Sequence, residues 1–182
     1  MNGISKSRMH RERGSTILEF GLVAIVLLML MFGVVDFARA LYAYHFVTNA
    51  AREATRWASV RGSKCQLAGC PAATSDVATY LGTITPSGIS TNYQVIACWP
   101  GLGSDATNGC PTSETPTNGC TASTSGPNNN PGCPVKVQII YPFSFVFPLM
   151  PSSICSSIQN QQGQTVTANI CMTSTSQMVI SQ

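Results

Sequence analysis

The chain has 182 residues, only 9% of them charged, and a formal net charge of +3. Such a length holds one domain plus a membrane segment, and the charge content is low for a soluble globular protein. Beyond Lys64 the only basic residue is Lys136, so the clustered Lys and Arg of a nucleic-acid binder are missing and no nucleic-acid partner is expected.

The positive charge is concentrated at the start. Residues 1–14 form a basic leader with Lys6, Arg8, Arg11 and Arg13 and one acid, Glu12. From Ser15 onward bases and acids balance. Residues 1–13 read as disordered, and their charge holds the N-terminus in the cytoplasm, with the C-terminus outside.

An apolar span follows at residues 17–35. Its nineteen residues come close to the roughly 20 needed to cross a bilayer as a helix, and exceed the 7–15 or so of a cleaved signal. No small-residue cleavage site closes it, because Asp36-Phe37-Ala38-Arg39 follows directly. Its Leu, Ile, Val and Phe residues favour insertion by roughly 4–8 kcal/mol. Glu19 opposes this by at most about 2.5–3.5 kcal/mol. Insertion wins, and the glutamate calls for an explanation. A carboxylate in hydrocarbon needs a cation or neutralises. Either a partner supplies that cation, or Glu19 sits at the boundary and snorkels to the headgroups.

The helical pattern continues past the span, over residues 36–61. Phe37, Ala40, Leu41, Tyr44, Val47, Ala51, Ala54 and Ala58 recur at steps of three and four, which defines one face. The small residues of its second half permit close approach of a partner. Arg39, Asn49, Arg52, Glu53 and Arg56 lie on the other face, with Asp36–Arg39 and Glu53–Arg56 at i,i+3. Gly62 offers a stop. One continuous helix over residues 15–61 is expected, roughly 70 Å long.

Residues 62–182 read as an extracytoplasmic, cysteine-rich domain. Ser75-Asp76 could cap a short helix at 77–81. Residues 92–99 read as a strand. Residues 100–133 are an irregular insertion, either a variable surface segment or a recognition loop. Residues 135–141 alternate as a strand ended by Pro142. Phe143, Phe145, Phe147, Leu149 and Met150 follow. They suit core or helix-facing packing better than an exposed patch against a membrane or partner. Residues 164–181 read as two short strands. The fold class is α+β: a long N-terminal helix with a small antiparallel sheet packed on its extracytoplasmic half.

The eight cysteines, Cys65, Cys70, Cys98, Cys110, Cys120, Cys133, Cys155 and Cys171, all follow the span. None forms a C-x-x-C and both histidines lie elsewhere, so disulfides in an oxidising compartment fit better than a metal. Only Cys65–Cys70, a short local loop, is singled out as a pair. No cofactor is implied. An enzymatic reading has little to draw on: after the leader there is one histidine, His45, and no G-x-S-x-G, H-E-x-x-H or P-loop.

Basic leader, Gly14, and Glu19 five residues later inside an apolar helix together resemble the processing motif of type IV prepilins. The continuation Glu19-Phe20-Gly21, Phe32-Gly33-Val-Val-Asp36-Phe-Ala-Arg39 and Asn49-Ala-Ala-Arg52-Glu-Ala-Thr-Arg56 looks like the TadE-like pseudopilins of the tight-adherence (Flp) pilus. Val137-Gln-Ile-Ile-Tyr141-Pro-Phe143 and Ser174-Thr-Ser-Gln-Met178 are similar to that family's ending. The resemblance covers residues 11–60 and, more weakly, the last 50 or so. It implies cutting between Gly14 and Ser15 by a prepilin peptidase on the cytoplasmic side. It also implies a single-pass protein of the bacterial inner membrane whose C-terminal domain is periplasmic or extracellular. Partners would be pilin or pseudopilin subunits and the pilus assembly machinery. Glu19 becomes an assembly contact for the new α-amino group of Ser15, in the same or a neighbouring subunit. Ser15 stands where major pilins usually carry Phe or Met, which suits a minor subunit. The other reading is a membrane-tethered binding module unrelated to pili.

Overall fold

The computed structural model describes residues 9–67, 70–99, 120, 130–146, 155–160 and 162–181, with the side chains of 9–14, 156 and 157 left aside. Its first element, α1, runs unbroken over Met9–Ser59, about 76 Å at 1.5 Å per residue. It starts inside the leader, so residues 9–13 are helical rather than disordered. Met, Arg and Glu are good helix formers and extend a helix already nucleated by the apolar run.

After α1 come α2 (Thr74–Ile84), β1 (Gln94–Cys98), β2 (Pro134–Phe143), β3 (Cys155–Gln159), β4 (Thr165–Ala168) and β5 (Ile170–Val179). The sheet has the order β1-β2-β5, and β3-β4 form a separate hairpin. All pairings are antiparallel. β5 is one ten-residue strand rather than a short one, because it pairs along the whole of β2, from Pro134↔Val179 to Phe143↔Ile170. β3, with no clear alternation in sequence, was not expected. β2 also continues through Pro142. β1 ends opposite Ile140, so Pro142 has no neighbour on that side and its missing N–H breaks no ladder bond.

The core lies between α1 and β2. Val135, Val137, Ile139, Tyr141 and Phe143 alternate inward along β2. They meet Ala43, Val47, Ala50, Ala51, Ala54 and Ala58 of α1. Alanines there let the sheet approach the helix closely. The buried face therefore differs from the expected one in its first half. Phe37 and Tyr44 are 65% and 55% exposed, whereas Asp36 and Ala43 are buried. The two sets lie about one position apart on the helix, and a charged residue takes the inward place.

At the end of α1, Ser59 O accepts Ser181 N at 2.9 Å, and Arg61 O accepts Ala72 N at 3.0 Å, partnering carbonyls at and just beyond the helix end. The helix thus closes before Gly62. α2 begins at Thr74, ahead of the expected cap, and Asp76 accepts Ala73 N from within the first turn at 3.0 Å. Trp57 stacks on Tyr80 at 5.1 Å, Arg61 lies 4.0 Å over Trp57, and the Tyr80 hydroxyl donates to Glu53 at 3.1 Å. Glu53 is thereby taken by α2, not by Arg56.

Among the described residues, disulfides join Cys65–Cys70, Cys120–Cys133 and Cys155–Cys171. The pair expected from its short loop is among them. Cys98 is disulfide-bonded too. Cys110 and most of the 100–133 insertion lie outside the described residues, as do Phe147, Leu149 and Met150.

Candidate membrane span and the Asp36 junction

Along α1 the apolar residues from Ile17 to Val35 face outward on every side, with Ile17 74%, Leu22 62% and Leu30 67% exposed. An 18-residue window of this helix has a mean hydropathy of 2.6 and none of it is buried. A helix apolar all round and uncovered needs an apolar solvent. Gly21 and Gly33 have nothing within 4 Å of where a Cβ would stand, so neither is required by packing inside this chain.

Gly14 and Ser15 lie within α1, near its first turns. Ser15 and Glu19 are exposed and four residues apart, hence one above the other on one face. Among the described residues Glu19 has no hydrogen-bond or ion-pair partner. The chain brings Gly14, Ser15 and Glu19 together on one helix, and holds the bonded cysteines far away in the domain.

Where the span ends, the structure places a contact that the periodicity did not reveal. Asp36 is 5% exposed. Its carboxylate accepts the Val146 N–H at 3.3 and 3.2 Å, and the Arg39 guanidinium at 3.0 Å. Arg39 also lies 5.6 Å from the ring centroid of Phe143, which meets Phe145 edge-on at 5.2 Å. A buried carboxylate is tolerable only when paired and hydrogen-bonded, and this one is both. The available sequence signal was its position as the first charge after the apolar run, three residues before Arg39.

The open groove beside α1 and α2, about 450 Å³, is lined by Phe46, Asn49, Ala50, Arg52, Glu53, Arg56 and Ile84. It offers charge but no nucleophile and base. Among the described residues no group of three or more His, Cys, Asp or Glu is placed to hold a metal.

Residues 14–56 match the sequence model of the TadE-like protein family. The chain carries a TadE-like segment. That segment starts at Gly14, takes in the apolar span, Glu19 and the Asp36–Arg39 pair, and stops at Arg56, three residues short of the end of α1. Comparison with curated proteins and with solved structures finds no match. The TadE-like segment contains the uncovered apolar helix, which is long and apolar enough to cross a membrane. The sheet domain, outside the match, is built on the same helix.

Proposed function

We propose that the protein is a minor pilin or pseudopilin of a Tad/Flp-type pilus, with a structural rather than catalytic role. It is anchored in the bacterial inner membrane with its N-terminus cytoplasmic and residues 62–182 outside. A prepilin peptidase removes residues 1–14, and Ser15 becomes the mature N-terminus. The domains are then a leader at 1–14, a spanning segment at 17–35, an outer helix that starts at 36 and closes at Ser59 rather than 61, and the cysteine-rich domain.

The observation that carries this reading is Glu19, exposed on an apolar helix and, among the described residues, without a hydrogen-bond or ion-pair partner. A carboxylate in hydrocarbon costs several kcal/mol unless a cation meets it. Cleavage after Gly14 creates one, the Ser15 α-amino group, one helical turn away. In a bundle of such helices that amine can pair within its subunit or with the Glu19 of a neighbour. The TadE-like match and the bonded cysteines support the same family and an oxidising compartment.

Glu19→Gln tests the role. It removes the charge while keeping the shape. Membrane insertion should be unchanged, and co-purification with pilus subunits and pilus yield should fall at least tenfold. Wild-type assembly by the variant would leave the helix an anchor only. The competing binding-module reading would then be preferred, in which an unrelated anchor can replace residues 15–35 without loss.

A further inference from the structure

We infer that the end of β2 rests on the outer surface of the bilayer, so that the domain touches lipid at a second place besides its spanning helix. The inference rests on residues 17–35 being a membrane span, and adds a contact which that reading does not contain.

Asp36 is the first charge after the span and marks the level at which α1 leaves hydrocarbon. Its carboxylate holds the Val146 N–H through both oxygens. The backbone at Val146 is therefore fixed at the outer boundary of the apolar layer, although it lies 110 residues further along the chain. Phe143 is buried, Phe145 packs partly against the core, and the Val146 side chain is 69% exposed. On the helix, Phe37 is 65% and Leu41 43% exposed. They lie about 1.5 and 7.5 Å beyond Asp36 along the axis.

The occupant is lipid, for two reasons. This exposed apolar surface continues directly from Val34 and Val35, 68% and 54% exposed, which are already immersed. The residues around it also have the chemistry of a headgroup layer. Arg39, its side chain 48% exposed, stands one turn above the boundary, followed by Tyr42 and Tyr44, 50% and 55% exposed. Arginine and tyrosine are favoured at that depth, with an apolar body in the boundary and a polar tip in water. The Asp36 junction thereby also sets the domain's distance from the membrane.

The test places a tryptophan at three depths in the full chain, reconstituted in lipid bilayers, and reads its added fluorescence against the parent protein. The positions are Val26→Trp in the span, Val146→Trp at the boundary and Val179→Trp at the 61% exposed far end of β5. Exposed Ser144→Trp repeats the boundary test if Val146→Trp folds poorly. Lipids brominated near the headgroup should quench the Val146→Trp signal at least twofold and leave Val179→Trp unaffected. Deeply brominated lipids should quench Val26→Trp. If Val26→Trp is quenched while both boundary variants behave like Val179→Trp, the lipid contact is wrong and the span stands. If Val26→Trp is not quenched, the span is wrong and the inference falls with it.

Discussion

Asp36 and Val146 are joined by a carboxylate-to-amide contact at 3.3 and 3.2 Å, and this contact links the residue just after the apolar span to the chain just past the end of the central strand, which closes at Phe143. A long helix that was only an anchor would need no such bond. Here the buried carboxylate makes the orientation of the domain on the helix specific, since sliding or rotating the sheet leaves a charge and an amide without partners.

Asp36→Ala should therefore destabilise the domain by about 1–3 kcal/mol, the cost of leaving the part-buried Val146 N–H unsatisfied. Asp36→Asn should cost less, because its carbonyl still accepts the Val146 N–H. Arg39→Gln should cost under about 1 kcal/mol, since its side chain is half-exposed and such pairs contribute little. Thermal unfolding of the purified protein in detergent, read by near-ultraviolet circular dichroism, ranks the three. Equal losses for Asp36→Ala and Arg39→Gln would contradict the asymmetry.

Close packing of α1 on β2 makes a second expectation. Ala54 is fully buried in the cluster that includes Val135 and Val137. Ala54→Leu should cost about 1–3 kcal/mol through overpacking. Leu41→Ala, on the exposed side, should leave unfolding unchanged in detergent. Denaturant midpoints of the two variants decide it.

The third expectation concerns pH. Burial holds the Tyr93 phenol above its ordinary value of 10.0, and the hydrogen bond with Thr85 offsets part of the rise. The folded protein therefore keeps this proton at a pH where the unfolded chain has lost it. Stability from Tyr93 is fully present below pH 10 and is lost as pH rises through the higher folded value. Unfolding free energies at pH 9, 10 and 11 should fall more steeply for the wild type than for Tyr93→Phe. Parallel slopes would contradict this.

Much of the fold was legible because it rests on period. A nineteen-residue stretch with one charge, Glu19, gave the span, alternation from Val135 to Tyr141 gave β2, and small residues at Ala51, Ala54 and Ala58 gave the helix face that meets the sheet. The rest depended on partners far away in sequence. Pro142 looked like a strand end, and only the register with β1 shows that its missing N–H is harmless there. Asp36 looked like half of a surface pair, because the Val146 amide that draws it inward is 110 residues away. Phe37 and Tyr44 fitted the apolar face by spacing, but burial follows where the sheet ends. In the candidate site, Gly14, Ser15 and Glu19 are assigned from their spacing and resemblance. The Asp36 junction was not legible, because a single helix carries no sign of what docks on it.

The central claim, that this is a processed pilus subunit, is tested most directly by the intact mass of the protein purified from membranes of cells that contain the prepilin peptidase. The account predicts a mature chain beginning at Ser15, and a full-length chain when the peptidase is absent or Gly14 is replaced by Val. A chain that still begins at Met1 with the peptidase present would contradict it.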